Sequence, residues 1–230
     1  MEYKLVAIES TVVGTIFEQA VNVFEQASIH FPDIIRMWIG LGDIDDNYQD
    51  FSAARNQVYE KYGYHKGVRT FVSTCVGSVH RLRMSLLLAP GIDRSKIVYA
   101  DLKSLIPHTN VYGVSFERAC RVEYRDGCFH HFISGTASMD ESGNIMHIGD
   151  AVKQVRRIWK IIGGLLESQQ ASLKDISSIM CYVRNEEDMD AVKSEMNHMG
   201  FISPNMDVCF SQACICRKDW LVECECVAET

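Results

Sequence analysis

The segment Trp220 to Val227 carries two glutamates, Glu223 and Glu225, spaced two residues apart in a run with strand character, so their side chains share one face. A carboxyl group removed from water keeps its proton toward neutral pH and can serve as a general acid. Alternation does not decide which glutamate is buried, because Val222, Cys224 and Val227 do not all fall on the opposite face. The plain alternative is that both line a solvated or intersubunit face. Other groupings support less chemistry. His130 and His131 are adjacent and point to opposite faces of a strand, which rules out a joint metal site. Asp43, Asp45 and Asp46 lack the twelve-residue ligand spacing of a calcium loop and read as turn and cap residues. Cys214 and Cys216 are two apart with no histidine close by, which does not make a zinc site, so neither metal nor cofactor is expected.

The chain has 230 residues, 47% of them hydrophobic and 23% charged, with four prolines. That composition belongs to a folded protein, not to a disordered segment, collagen or a coiled coil. The formal charge is −7, and the one basic grouping, Lys153, Arg156, Arg157 and Lys160, reads as a solvated helix face, so no nucleic-acid partner is expected. No apolar run approaches about 18 residues, and Met1-Glu2-Tyr3-Lys4 does not open a signal peptide, so the expectation is a cytoplasmic protein without membrane association. Nine cysteines, an odd count without a CxxC, read as reduced thiols, with Cys75, Cys181, Cys209, Cys224 and Cys226 in core strands.

Periodicity supplies the elements that must position these groups. Residues 15 to 28 carry Phe17, Ala20, Val21, Phe24 and Ala27 at helical spacing, with Thr15 and Glu18 as a capping box. A buried strand follows from Ile35 to Leu41, then a helix capped by Asp46 and strands over 70–76 and 82–89. The order returns later: a helix capped by Asp150, a strand over 177–183, a helix capped by Asn185, and strands over 206–215 and 220–227. Asp33-Ile34 and Asp175-Ile176 open equivalent strands, and Asp46 and Asp188 follow them at the same interval. We read a diverged tandem duplication. The second unit adds leading strands over 115–124 and 128–137, joined by the hairpin turn Asp126-Gly127, where the first has only Lys4 to Ile8. Each unit is then a mixed sheet with helices on one face, and the bare face calls for association.

From Tyr112 onward the sequence resembles the YjgF/Rid superfamily. The resemblance is carried by Phe132-Ile133-Ser134-Gly135-Thr136-Ala137-Ser138, by His147-Ile148-Gly149-Asp150 leading to Gln154, and by residues 216–225, from Cys216-Arg217 to Glu225. Within the superfamily it is most similar to the chorismatases, through Tyr112-Gly113, Phe116-Glu117-Arg118, and Cys216 seven residues before Glu223. The resemblance implies an α+β fold of tandem Rid-like (chorismate-mutase-like) units, an abbreviated one over 1–105 and a complete one over 106–230 carrying the site. It also implies a homotrimer.

The activity so implied is hydrolysis of the enol ether of chorismate or a related carboxylate, releasing pyruvate. Glu223 matches the position of the acid, Arg118 and Tyr112 those of substrate-holding groups, and Cys216 a pocket wall. Gly135 and Ala137 would let a ring approach the strand, and Arg217 follows as a further cation, since the planar guanidinium suits carboxylates. The alternative is a non-catalytic or differently specialised Rid-family binding protein for a small carboxylate metabolite, of the kind often labelled endoribonuclease or translation-initiation inhibitor. It gains weight because the arginine-containing segment that chorismatases carry before Tyr-Gly is absent. Imine-hydrolysing Rid enzymes require an arginine near position 206, where this chain has Asn205-Met206-Asp207.

Overall fold

The computed structural model describes residues 1–64, 68–100, 102, 104–107, 109 and 115–230. Tyr112 and Gly113 lie outside the described residues. The first half runs β1 (Lys4–Glu9), α1 (Ile16–Ala27), β2 (Ile34–Leu41), α2 (Ile44–Lys61), β3 (Val72–Gly77) and β4 (Leu82–Leu88). After β5 (Val98–Tyr99), the second runs β6 (Ala119–Arg125), β7 (Cys128–Ala137), α3 (Ala151–Glu167), β8 (Ile176–Val183), α4 (Met189–His198), β9 (Asp207–Gln212) and β10 (Val222–Glu229).

The strands form two mixed sheets, of order β1-β4-β2-β3 and β5-β6-β7-β10-β8-β9. The first sheet repeats the arrangement β7-β10-β8-β9 of the second, including one parallel pair, β2 with β3 in one and β8 with β9 in the other. Among the described residues, the first sheet has no counterpart of β6. Strand β5, which precedes residue 105 in the chain, pairs with β6 in the second sheet.

Local signals explain most elements. Thr15 and Glu18 close the capping box of α1, and the Asp150 carboxylate accepts from the Lys153 amide at 2.9 Å to start α3. Gly127 turns the β6–β7 hairpin with φ +69°, a conformation glycine adopts without penalty. Two helix starts differ from expectation. The N-cap of α2 is Asp43, in the left-handed region at φ 47°, and Asp46 lies inside the first turn, where its charge meets the positive end of the helix dipole. A 3₁₀ turn over Glu186–Asp188 precedes α4, and Asn185 donates to the Asp188 carboxylate at 2.9 Å in place of capping a helix amide.

Helices cover the outer face of each sheet. Phe24, Phe51, Ala54 and Val58 of α1 and α2 pack with Ile39, Leu41, Met84 and Leu86, whereas Val155, Ile158, Trp159 and Ile162 of α3 pack with Ile179, Cys181, Val222 and Cys224. The inner faces meet each other: Ile35, Val72, Cys120, Val122 and Phe132 form a third cluster between the sheets. Each buried side chain of this kind contributes about 1.5–3 kcal/mol, so the two halves are one packed body. Cys75, Cys181, Cys224 and Cys226 are buried, but Cys209 is exposed, because β9 is an edge strand whose inner face extends past the first sheet. No helix among the described residues is long and apolar enough to cross a membrane.

Candidate functional site

Strand β10 settles the ambiguity of the two glutamates. Val222, Cys224, Cys226 and Ala228 face the helices, and Glu223 and Glu225 face the first sheet, each 5% exposed. Both are buried, in different company. Glu225 is held by Arg36 and Trp38 of β2, whereas Glu223 lines a pocket at the junction of the sheets.

That pocket gathers residues from both halves: Arg118, Gly135, Ala137, Cys216, Arg217 and Glu223 from the second, and Tyr48, Arg55, Ser73 and Cys75 from the first. The six described residues singled out from the sequence therefore come together in one place. The contribution of the first half does not follow from sequence spacing. Tyr48 and Arg55 are seven residues apart on α2, two turns along one face. A long cation on the buried side of a helix was the available signal, since arginine is almost never fully buried without a partner or a purpose.

The two sheets are fastened where the pocket opens. The amide of Ser73 donates to Ser134 Oγ at 2.9 Å, and the amide of Gly135 donates to Thr74 Oγ1 at 2.9 Å. Ala137 pairs with Glu223 across β7 and β10, which sets the height of the acid in the pocket. A β-carbon on Gly135 would lie 2.9 Å from both Glu223 Cδ and Thr74 Cγ2, so only glycine lets the carboxyl rest against this strand.

The electrostatics follow from burial. Glu223 is pushed up to about 8, chiefly by loss of solvent, further by the charge of Glu225, and against the pull of Arg118. It therefore carries a proton at neutral pH. Arg118, 6% exposed, is lowered to about 10 by the same desolvation and remains a cation there. Its guanidinium lies 5.0 Å above the Phe116 ring, and Nη2 meets Met139 Sδ at 3.4 Å. Arg55, 2% exposed, donates to Ser52 Oγ at 3.1 Å and stands over Phe51. Arg217 stacks at 4.8 Å on Trp220 and reaches the Gly143 carbonyl at 3.3 Å. The Cys216 thiol is pushed up to about 12 by burial and by Glu223, so it is a neutral wall and not a thiolate nucleophile. The pocket thus presents one protonated carboxyl, with a buried arginine from each half: a proton donor beside seats for anions.

The loop bearing Cys216 and Arg217 is fixed by Arg184, which donates to the carbonyls of Ile215, Arg217 and Trp220 and forms a bidentate pair with Asp45 of α2 at 2.9 and 3.1 Å.

Comparison with known proteins agrees with this architecture. Residues 129–230 match the family model described as Endoribonuclease L-PSP. A 3-hydroxybenzoate synthase of Streptomyces hygroscopicus is 31% identical over 220 residues, which are 85% of this chain and 63% of that protein. The 3-aminoacrylate deaminase RutC of Acinetobacter baylyi is 31% identical over 61 residues, 26% of this chain and 48% of that one. A crystal structure of a chorismatase superposes with a TM-score of 0.83 at 22% identity, covering 98% of this chain and 74% of that one. The chain therefore spans less than two thirds of the length of the curated relatives it matches.

Proposed function

For a chain whose second half is a YjgF/Rid domain and whose whole fold is that of a chorismatase, we propose hydrolysis of the enol ether of a small carboxylate of the chorismate kind, with release of pyruvate. One observation carries the proposal: Glu223 is a buried carboxyl packed against Gly135, in a pocket that also holds Arg118 and Arg55, and its desolvation favours the proton-bearing form.

Glu223 gives its proton to the terminal methylene carbon of the enol ether. The ether carbon becomes an oxocarbenium centre, water adds to it, and the hemiketal breaks its C–O bond to leave pyruvate and the ring alcohol. One water is consumed, and the proton released on its addition restores Glu223. A positioned acid of this kind supplies roughly 10²–10⁴-fold in rate. Arg118, with Arg55 facing it from α2, holds the substrate carboxylates. Arg217 guides anions at the rim, the small side of Ala137 and the absent one of Gly135 admit the ring, and Cys216 shapes its edge.

The test is incubation of the purified protein with chorismate, with pyruvate measured by a coupled dehydrogenase. Pyruvate should appear, and Glu223→Gln should abolish its release while leaving the dissociation constant nearly unchanged, since glutamine keeps the shape and lacks the proton. Binding without pyruvate release by the unaltered protein would overturn catalysis and leave a metabolite-binding protein.

We also propose that copies associate as a trimer through inner-face positions that the facing sheet leaves uncovered, such as Leu5 of β1, 70% exposed, and Cys209 of β9. Sedimentation should give three times the chain mass; a stable monomer would overturn this.

A further inference from the structure

The first half does more than wall the pocket. On β10, Glu225 follows Glu223 by two residues on the same face, so the two Cα atoms are about 7 Å apart. Opposite Glu225 stands β2. Arg36 Nη2 meets Glu225 Oε2 at 2.8 Å, and Trp38 Nε1 donates to Glu225 Oε1 at 2.8 Å. The Arg36 guanidinium also lies 4.8 Å above the Trp38 ring and donates to the Cys226 carbonyl at 3.4 Å, so the three side chains lock one another. Side-chain exposure is 1% for Arg36 and 7% for Glu225, which removes the solvent that would screen a charge here.

We propose that Glu225, fixed by Arg36 and Trp38 of the first sheet, is a positioning residue that keeps Glu223 in its proton-bearing form. This deepens the assignment of Glu223 as the acid and rests on it. Of the other groups around Glu223, Arg55 and Arg217 are further cations on the pocket wall, and four more act in known directions. Arg118, reaching in from the start of β6, favours the carboxylate. Tyr182 of β8, directly across from Glu223 in the sheet, is itself pushed up by burial and by both glutamates and stays neutral. Cys75 of β3 and Cys216 also stay neutral, their thiols raised first by burial. Glu225 is thus the anion that offsets Arg118. Without it, burial still favours the protonated form, but nothing charged opposes the pull of Arg118 and the proton is held less firmly.

The experiment is a carbon-13 NMR titration of the Glu223 carboxyl in glutamate-labelled protein without substrate, the resonance being assigned by its loss in Glu223→Gln. In Glu225→Gln the midpoint should fall by about one pH unit or more, the usual effect of removing a near like charge. Glu225→Asp, which keeps the charge, should titrate close to the unaltered protein. Breaking one side of a buried ion pair can unfold a protein, so Arg36→Gln/Glu225→Gln, which removes both charges together, serves as the second variant; its midpoint should fall by less than in Glu225→Gln, because the cation that partly cancels Glu225 leaves with it. An unmoved midpoint in either folded glutamine variant would overturn the proposal. The titration needs no turnover, so a chain that releases no pyruvate can still pass it. Pyruvate release with an unmoved midpoint would keep the activity and remove this role for Glu225.

Discussion

The carboxyl of Glu223 on β10 occupies the space that a β-carbon on Gly135 of the neighbouring strand β7 would fill. Gly135→Ala should therefore cost activity well beyond its cost in stability. The flexible end of Glu223 can swing away, limiting destabilisation to about 1–3 kcal/mol, but the displaced carboxyl no longer reaches the substrate carbon. Parallel denaturant titration and pyruvate assays would check this. Full activity in a folded Gly135→Ala protein would mean that the acid sits elsewhere.

Stability should decline with pH across the neutral range. The folded state holds the Glu223 proton to about 8, against 4.5 for the free side chain, so between those values the native protein binds more protons than the unfolded chain. By linkage, stability is full below about 4.5 and is lost as pH rises through about 8, by on the order of 5 kcal/mol from this group. Glu223→Gln should flatten that slope and melt higher than the unaltered protein at pH 8. Calorimetry across pH 5 to 9 measures it; parallel slopes would refute it.

Arg118→Gln and Arg55→Gln should each weaken substrate binding. A charge-assisted hydrogen bond is worth about 1.5–3 kcal/mol, which corresponds to roughly 10- to 150-fold in affinity. If the two guanidiniums hold separate carboxylates, a substrate analogue lacking one carboxylate should be insensitive to one of the two substitutions. Isothermal titration with mono- and dicarboxylate analogues distinguishes them.

Arg184→Ala should lower stability by about 2 kcal/mol or more and raise KM. The residue ties α2 to the loop that bears Cys216 and Arg217. Asp45→Asn, which removes one charge and leaves the carbonyl bonds intact, should cost less. Equal losses for the two variants would show that the ion pair, not the loop, is what Arg184 supports.

Much of this was legible in the chain. Thr15 with Glu18, Asp150, and Asp126-Gly127 are local signals, and local physics placed α1, α3 and the β6–β7 hairpin where expected. Glu223 and Glu225 could not be told apart, because a strand's alternation says which side chains share a face and nothing about what covers it. That was decided by Arg36 and Trp38, nearly 190 positions away in sequence. Ser73 and Cys75 were missed as pocket residues for the same reason: they enter it through packing of one sheet on another, which leaves no period in the sequence, whereas Arg55 reaches it from helix α2. Cys209 was placed in the core by its strand character, and edge position is a property of sheet order that alternation does not carry.

Strand β10 lies between β7 and β8 in the second sheet, although both precede it in the chain. During synthesis those two strands exist first, with facing edges of unpaired amides and carbonyls and a gap one strand wide between them. The segment that brings the acid is also the segment that closes the gap. A chain with an unfilled sheet has no proton donor in place, and it exposes edges that other chains can pair with. Completion of the fold and arming of the site are thus a single event, and a lesion in residues 222–229 that breaks the strand's backbone pairing, such as a proline, should be felt as aggregation before it is felt as slow turnover.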